Sequence, residues 1–217
     1  MGVVTKAPPP KTPTRAERQK ERTRRRLVDT ARALIAERGV AGLRIHEITD
    51  RADVALGSFY NHFADKDELV EAVVGESLAE LAAATVPPED ADIDPAEVVA
   101  GAIIRFLKLP ALDPDFARLV VNLHHADVLF ATAVYPFARL AVQRGVDTGR
   151  FVVSDIEVTV TATVGGALAL IRETLEGRHE PAKVEKAFPE LALASMGVPG
   201  PDAAKVVKAA LARQKAH

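Results

Sequence analysis

Four hydrogen-bonding side chains lie together in one short segment of this chain: Ser58, Tyr60, Asn61 and His62. Their hydroxyl, phenol, amide and imidazole groups are suited to phosphate oxygens and to the edges of nucleic-acid bases. An Asn side chain can bind adenine through two hydrogen bonds, although Asn61 would fit an ordinary surface position equally well. The chain has no phosphate-binding loop and no nucleophile paired with a base, so the segment predicts DNA binding and not an enzyme.

Two short helices are expected to position these groups. Ile45 and Ile48 are three residues apart and predict a first helix with one buried face. Phe59 and Phe63 are four residues apart and predict core positions in a second helix over residues 56–63. Helices this short are unstable alone. We therefore expect them to pack as a helix-turn-helix whose second helix enters the major groove of DNA.

Charge is distributed unevenly along the chain, although the net charge is only −2. Residues 1–30 contain nine Lys and Arg against three Asp and Glu, so the remainder is acidic. A basic end on an acidic body is expected of a protein that meets a polyanion at one end, and a solvated charged tail is the alternative. The basic end adjoins the helix-turn-helix, which favours phosphate contact. Residues 1–14 include four prolines and predict a disordered basic extension.

The composition excludes several other classes of protein. The chain has no cysteine, so disulfides and cysteine metal sites are ruled out. No apolar run approaches the roughly 20 residues that span a bilayer, and the first residues lack the apolar core of a secretory signal. We expect a cytoplasmic protein that makes no contact with a membrane.

The remaining pattern predicts an all-α fold with two domains. A helix-turn-helix domain is expected at residues 15–64 and a larger helical domain at residues 65–217. The first helix should cover residues 15–38 and end at Gly39, which is a favourable C-terminal cap. In the larger domain, a helix from about 155 to 176 is apolar nearly all round, which predicts burial on more than one side.

Proline positions predict where other helices of the larger domain begin. Asp94-Pro95 and Asp113-Pro114 each combine a capping Asp with a Pro in the first turn. The second of these helices is expected to extend to Val128. Pro181 predicts the start of an amphipathic helix, and a short basic tail helix is expected from Pro201.

The block GVAGLRIHEITDRADVALGSFYNHFADKDEL, residues 39–69, resembles the DNA-binding domain of the TetR family of bacterial transcriptional repressors. The matching features are Ile45, Ile48 and Ala52, the run GSFYNHF at 57–63, and the run KDEL at 66–69. The resemblance covers about residues 20–75, and beyond them only the helical layout and the length agree.

Three positions depart from the family pattern. Asp53 stands where a turn Gly is common, and Asp tolerates the left-handed conformation better than most residues. Ala55 replaces a capping Ser, a change that costs about 1 kcal/mol. Leu56 replaces a frequent Lys and removes a phosphate or base contact. In addition, Leu43 and Arg44 stand where Thr or Ser often caps the first helix of the helix-turn-helix motif, the one that contains Ile45 and Ile48.

The resemblance implies that Tyr60 donates its hydroxyl to a DNA phosphate and that Lys66 clamps the phosphate backbone. Ser58, with the backbone N–H groups near Gly57, is expected at the same backbone. Arg44 is expected at a phosphate because it begins the helix that crosses the backbone. The complete set of expected DNA-binding residues is Arg44, Gly57, Ser58, Tyr60, Asn61, His62 and Lys66.

In the TetR family the C-terminal domain binds a small effector in its interior and dimerises through its last two long helices. The resemblance therefore implies a homodimer through the helices at about 155–176 and 182–194, bound to a palindromic double-stranded DNA operator and released by a small apolar or amphipathic effector. The expected ligand-binding residues are Phe106, Val120, His124, Tyr135, Phe137 and Val164. Aromatic compounds, acyl chains, antibiotics and lipophilic drugs remain equally suitable effectors.

The pair His124-His125 with Asp127 leaves several alternatives open. Adjacent helical residues point about 100° apart, so the two imidazoles do not readily share a metal ion. A hydrogen bond to the effector and a structural role are the other interpretations of His124, and we expect neither metal nor cofactor. The alternative functions are a helical effector-binding protein whose helix-turn-helix mediates protein contacts, and a helical hydrolase with its site near His124.

Overall fold

The computed structural model describes residues 14–87, 93–123 and 126–214. These residues form helices and turns without any strand, so the predicted all-α fold is confirmed. The helices in chain order are α1 (Arg15–Arg38), α2 (Ile45–Ala52), α3 (Leu56–Phe59), α4 (Lys66–Ala83), α5 (Pro95–Leu107), α6 (Leu109–Leu112), α7 (Pro114–Asn122), α8 (Ala126–Ala133), α9 (Tyr135–Asp147), α10 (Ile156–Leu175), α11 (Pro181–Ser195) and α12 (Gly200–Arg213). A 3₁₀ turn at Val40–Gly42 lies between α1 and α2.

The chain divides into two compact units between Val73 and Val74. This division falls within α4, whereas the sequence suggested a domain boundary after residue 64, just before that helix. The division comes later because Leu69 and Val70, in the first turns of α4, are buried and belong to the first unit.

Local capping signals determine both ends of α1. The Thr14 hydroxyl accepts a hydrogen bond from the Glu17 N–H, and the Glu17 carboxylate accepts one from the Thr14 N–H. Gly39 ends the helix at the predicted position with a positive φ of 69° and ψ of 170°, a backbone conformation that favours glycine. The buried face of α1, which includes Leu27 and Leu34, packs against α2. Residues 1–13 of the expected basic extension lie outside the described residues.

Helix α5 lies at the centre of the second unit and packs against α9, α10, α11 and α12. The carboxylates of Asp94 and Asp113 accept hydrogen bonds from N–H groups in the first turns of α5 and α7, as the two Asp-Pro pairs predict. Helix α12 is 14 residues long and buries Val206 and Val207, and it packs on α5 and α11. It is therefore a core helix and not a short tail.

The predicted continuation of the helix from Pro114 to Val128 is wrong. Helix α7 ends at Asn122, and the backbone of Leu123 is extended with ψ of 139°. Val128 lies in the separate helix α8, where its side chain is 53% exposed. The apolar spacing of this region fits two short helices as well as one long helix, so the sequence pattern did not distinguish them.

Arg150, in the loop between α9 and α10, joins two helix starts of the second unit. Its Nε donates to the Asp94 carboxylate at 2.9 and 3.1 Å, and its Nη2 lies 2.9 Å from Asp94 and 2.8 Å from Asp202. Partial burial raises the pKa of Asp94, but the hydrogen bonds from Arg150 and from the backbone lower it by more than burial raises it. The pKa of Asp94 is therefore below its usual value. The adjacent Phe151 ring covers Gly145 of α9, where a Cβ would overlap with the ring.

Candidate nucleic-acid interface and effector cavity

The turn between α2 and α3 is made by an Asp in a conformation that usually requires Gly. Asp53 has φ of 49° and ψ of 54°, and its N–H donates to the Asp50 carbonyl at 3.1 Å. The Arg26 guanidinium donates to the carbonyls of Ala52 and Asp53 and lies 3.3 Å from the Asp53 carboxylate. Arg26, which lies on α1, thus stabilises the turn between α2 and α3. The expectation that the turn is preserved with Asp at position 53 is confirmed.

Helix α3 is shorter than the sequence predicted. It covers only Leu56–Phe59, and the chain continues through turns in which His62 and Phe63 donate their N–H groups to the Phe59 carbonyl. The prediction of one helix over 56–63 is wrong in this respect. Ala55 provides no side-chain cap to the helix, so its stability depends on packing.

The two phenylalanines of this segment provide the packing, as the sequence predicts. Phe59 is fully buried and Phe63 is 3% exposed, and their ring centres lie 5.8 Å apart. The Tyr60 ring meets the Phe59 ring edge-to-face at 5.2 Å. On the other side, the Arg24 guanidinium lies 5.6 Å from the centre of the Phe63 ring. Phe59 and Phe63 therefore belong to the core and are not available to stack on bases.

The polar side chains of the segment remain accessible. Tyr60 is 55% exposed and Leu56 is 37% exposed, so a phenol and an isobutyl group project from the same short element. Lys66 begins α4 beside Asp65, whose carboxylate accepts from the Glu68 N–H. Of the other expected DNA-binding residues, Arg44, Gly57 and Asn61 are exposed, and Ser58, His62 and Lys66 are half-buried.

A polar cleft lies between this segment and α1. It is lined on the α1 side by Ala16, Gln19, Lys20 and Thr23, and on the other side by Ser58, Asn61 and His62. Partial burial, followed by the positive charges of Lys20 and Arg24, lowers the pKa of His62. The His62 imidazole is therefore neutral at neutral pH and can accept a proton when an anion enters the cleft.

Arginines near the interface differ in their surroundings. Arg24 and Arg26 contact the Phe63 ring and the turn, so both contribute to the fold, which the sequence did not suggest. The Nη1 group of Arg44 donates to the carbonyls of Ala41 and Leu43 at 2.9 and 3.1 Å, so a phosphate would meet its remaining N–H groups. Lys20 was not among the expected contact residues, although its place in the basic run of α1 was a usable signal.

A small apolar cavity of about 70 Å³ lies inside the second unit. The end of α4 and the helices α5, α8, α9 and α10 supply its walls, together with Met196 after α11. The rings of Phe106 and Phe130 lie 6.4 Å apart at one wall. Its polar lining residues, Thr85 and Thr163, carry hydroxyl groups and no charge.

The expected ligand-binding residues are distributed unequally around this cavity. Phe106, Phe137 and Val164 line it. Val120 is 1% exposed and lies on α7, and neither it nor Tyr135 lines the cavity. His124 lies outside the described residues. The sequence did not identify Phe130 or the two threonines, since their position depends on how α8 and α10 pack.

Helices α10 and α11 leave an apolar face uncovered. Only 22% of the most apolar stretch of α10 is buried, so the predicted burial on more than one side is not found in the single chain. Val158 of α10 and Leu191 of α11 are 66% and 65% exposed. The remaining small or apolar residues of this exposed face are Ala162, Gly165 and Ala169 on α10, and Ala187 and Ala194 on α11.

A close helix contact supports the exposed face from behind. Gly166 of α10 allows the Phe188 ring of α11 to approach so closely that a Cβ would lie 2.8 Å from the ring carbons. The neighbouring Gly165 has open space around it.

By length and composition α10 would also be able to cross a membrane, which is true of no other helix in the described parts of the chain. Within those parts, no group of His, Asp and Glu side chains is arranged to hold a metal ion.

Family models match both units. Residues 27–73 match the model described as bacterial regulatory proteins, tetR family. Residues 94–209 match the model described as tetracyclin repressor-like, C-terminal domain. The first match contains the helix-turn-helix with its polar segment. The second contains α5 to α11 with the exposed apolar face and all described lining residues of the cavity except Ala82 and Thr85.

Individual proteins are similar over most of the chain. The HTH-type transcriptional regulator CymR of Pseudomonas putida is 33% identical over 164 residues, which cover 72% of this chain and 73% of CymR. The crystal structure of RolR in complex with resorcinol has a TM-score of 0.74 and 30% identity, covering 88% of this chain and 95% of RolR. FadR of Bacillus subtilis, in complex with stearoyl-CoA, has a TM-score of 0.58 at 15% identity, covering 79% and 98% of the two chains, and shows a likeness of fold alone.

Proposed function

This chain belongs to the TetR family of bacterial regulatory proteins, and we propose that it represses transcription as a homodimer on a palindromic operator until a small effector releases it. It is a DNA-binding transcriptional regulator with an N-terminal helix-turn-helix and a helical C-terminal domain. The observation that carries the proposal is the segment after the left-handed turn, where Tyr60 and its polar neighbours are accessible beside the basic helix α1. Such a protein acts in the cytoplasm, where the DNA lies.

The proposed DNA contacts divide by chemistry into two groups. Tyr60, Ser58 and Lys66, with the N–H groups near Gly57, meet the phosphate backbone and position the segment without reading sequence. Asn61 points to a base edge, where its amide reads adenine. His62 and Arg44 complete the proposed set as phosphate contacts. Leu56, exposed on the same segment, offers an apolar surface of the kind that suits a thymine methyl group.

Selection of random duplexes with the purified protein tests DNA recognition, and the affinity for selected duplexes is then measured against salt. We expect a palindromic consensus and a steep loss of affinity with added salt, because phosphate contacts release counterions. Combining Tyr60→Phe with Lys66→Ala should weaken binding to all duplexes by at least about 100-fold, since each charge-assisted hydrogen bond contributes about 1.5–3 kcal/mol. Asn61→Ala should instead change the preferred sequence.

The matched control for the double variant lies in the second unit. Tyr135→Phe with Lys205→Ala removes the same two groups at a site remote in sequence from the helix-turn-helix and should leave DNA affinity unchanged. Equal affinity of the Tyr60 and Lys66 variant and the parent would refute the contact assignment. Salt-independent or undetectable DNA binding would favour the alternative in which the helix-turn-helix mediates protein contacts.

The proposed dimer forms through the exposed faces of α10 and α11. An exposed apolar face of two long adjoining helices is unusual in a monomer and suits burial against a second copy of the same face. Its small residues, including Gly165, permit close approach of the partner helices, and Val158 and Leu191 supply apolar area. Two-fold symmetry would present two copies of the DNA-contacting segment at residues 56–63 to the DNA, which is why a palindromic operator is proposed. The apolar character of α10 is thereby explained without a membrane.

The proposed effector site is the cavity of the second unit. Ala82, in the last turn of α4, and Thr85, just after it, line the cavity, while Lys66 begins the same helix directly after the DNA-contacting segment. Binding of an effector that favours one position of α4 would therefore change the distance between the two DNA-contacting segments of the proposed dimer. RolR was crystallised with resorcinol, which supports a small aromatic molecule as the effector class.

A further inference from the structure

We propose that the effector is a single uncharged aromatic ring that carries a hydroxyl group, and that Thr163 distinguishes this hydroxyl. The inference deepens the proposed function, on which it rests, because it names the ligand class of the same cavity. Charge, size and hydrogen-bonding capacity of the cavity each restrict the ligand, and they do so independently.

Charge is the first restriction. The described residues around the cavity present aliphatic and aromatic side chains with two threonines, and none of them is ionisable. A carboxylate that entered would lose its hydration without gaining a cationic partner, which strongly disfavours it. The cavity therefore selects a neutral molecule and rejects the corresponding acid.

Size is the second restriction. An apolar cavity of about 150 Å³ accommodates a benzene ring, and this one has about 70 Å³. A single ring can enter after modest movement of wall side chains, whereas an acyl chain would need a far larger rearrangement of the close-packed helices. The rings of Phe106, Phe130 and Phe137 offer the faces and edges that an aromatic ligand prefers.

Hydrogen bonding is the third restriction. The Thr85 hydroxyl donates to the Ala82 carbonyl at 2.6 Å, so its proton is engaged and only its oxygen can serve a ligand. The Thr163 hydroxyl, in the middle of α10, forms no hydrogen bond with the described residues and can both donate and accept. A ligand with one hydroxyl satisfies this group, while a hydrocarbon leaves it unpaired.

Calorimetry on the full chain with toluene, phenol and benzoate tests the ligand class, since these probes share one ring and differ in one substituent. Near neutral pH phenol is uncharged and benzoate is an anion. We expect phenol to bind most tightly, toluene more weakly, and benzoate at least about 100-fold more weakly than phenol, because its charge is buried without a partner. Binding of benzoate as tight as that of phenol, or no binding of phenol, would overturn the inference.

Two variants test the assignment to Thr163. Thr163→Val keeps the shape and removes the hydroxyl, so phenol affinity should fall about fivefold to tenfold, the net effect of one hydrogen bond, while toluene affinity should not fall. Thr132→Val is the control, because the Thr132 hydroxyl is exposed on α8 and donates only within its own helix. An equal loss for toluene and phenol in Thr163→Val would show a packing defect and refute the specific role.

A filling variant locates the binding site. Ala141→Phe places a ring in the cavity and should abolish binding of phenol and toluene, with circular dichroism to verify the helical fold. Full retention of phenol binding by a folded Ala141→Phe protein would place the ligand elsewhere and refute the inference. If this variant does not fold, the comparison of phenol and toluene binding by Thr163→Val still tests whether the ligand lies in the cavity.

Release of selected DNA separates this inference from the proposed function. Phenol that binds in a Thr163-dependent manner without releasing DNA would support the ligand class and contradict effector release. A charged compound that releases DNA while phenol fails to bind would contradict the ligand class and leave the proposed function standing.

Discussion

Removal of two exposed apolar side chains should dissociate the proposed dimer. Full burial of a Val or Leu side chain stabilises by about 1.5–3 kcal/mol, and Val158 and Leu191 are 66% and 65% exposed in the single chain. Burial of these exposed parts at a symmetric interface would contribute about 1 kcal/mol or more for each side chain. Because each side chain occurs twice in a dimer, Val158→Ala with Leu191→Ala should weaken dimerisation by about 4 kcal/mol, or about 1000-fold.

Sedimentation velocity over a concentration series measures this effect directly, and circular dichroism verifies that the variant remains helical. Leu112→Ala is the matched control, because Leu112 is 73% exposed on α6 and lies outside the α10 and α11 face. We expect the control to dimerise like the parent and the double variant to sediment as a monomer. A double variant that dimerises as tightly as the parent would refute the assignment of the interface.

Three further predictions follow from local contacts. Gly145→Ala should destabilise the protein by about 1–3 kcal/mol in urea unfolding, because the new Cβ would overlap with the ring that covers this glycine, whereas Gly101→Ala, with open space around it, should be neutral or stabilising. Arg150→Met should lower the free energy of unfolding by about 2 kcal/mol at neutral pH, because the charged hydrogen bonds of Arg150 are lost. Since the pKa of the Asp94 carboxyl is lowered in the fold, this difference between parent and variant should disappear as the pH falls below about 4. An undiminished difference in acid would contradict the role of the Arg150–Asp94 pair. DNA affinity should rise as the pH falls below neutral, because protonation of His62, whose pKa is lowered in the free protein, would add positive charge beside the proposed phosphate contacts. His62→Gln should remove this rise and His46→Gln should retain it in filter-binding titrations.

The helix ends that carry capping signals are predicted correctly, because a cap acts over only a few residues. Gly39 ends α1 at the predicted residue, and Asp94 and Asp113 start α5 and α7 where their Asp-Pro pairs indicate. In each case the residue satisfies N–H or carbonyl groups of the adjacent turn, or adopts the required backbone conformation, without help from distant parts of the chain. Local sequence was therefore sufficient.

The errors arose where the apolar spacing fits more than one structure, or where a distant contact decided the outcome. Residues 60–63 continue the apolar spacing of a helix, yet α3 ends at Phe59, and both Phe59 and Phe63 are buried although turns follow the helix. Arg26 belongs to the basic run of residues 1–30, yet its guanidinium reaches the carbonyls of Ala52 and Asp53 at the end of α2. A charged side chain of this length has many possible partners, and only the packing of α1 on α2 selects one.

The residues of the candidate effector site were also predicted only in part. Phe106, Phe137 and Val164 are among the ligand-binding residues expected from the sequence, and they do line the cavity. Phe130 and Thr163 were missed, because a cavity is the space left between packed helices and the helix pattern does not specify which residues border it.

By itself, the sequence determined the helical class, the ends of its capped helices and the polar segment that follows the turn at Asp53. Periodicity and capping depend on neighbours within one or two turns, so they can be read from the order of residues. Only the tertiary structure decided that Arg26 supports the turn, that α10 keeps an exposed apolar face and that no ionisable group lines the cavity of the second unit among the described residues. These properties depend on contacts between residues far apart in the chain, and the free energy of packing all helices together selects those contacts.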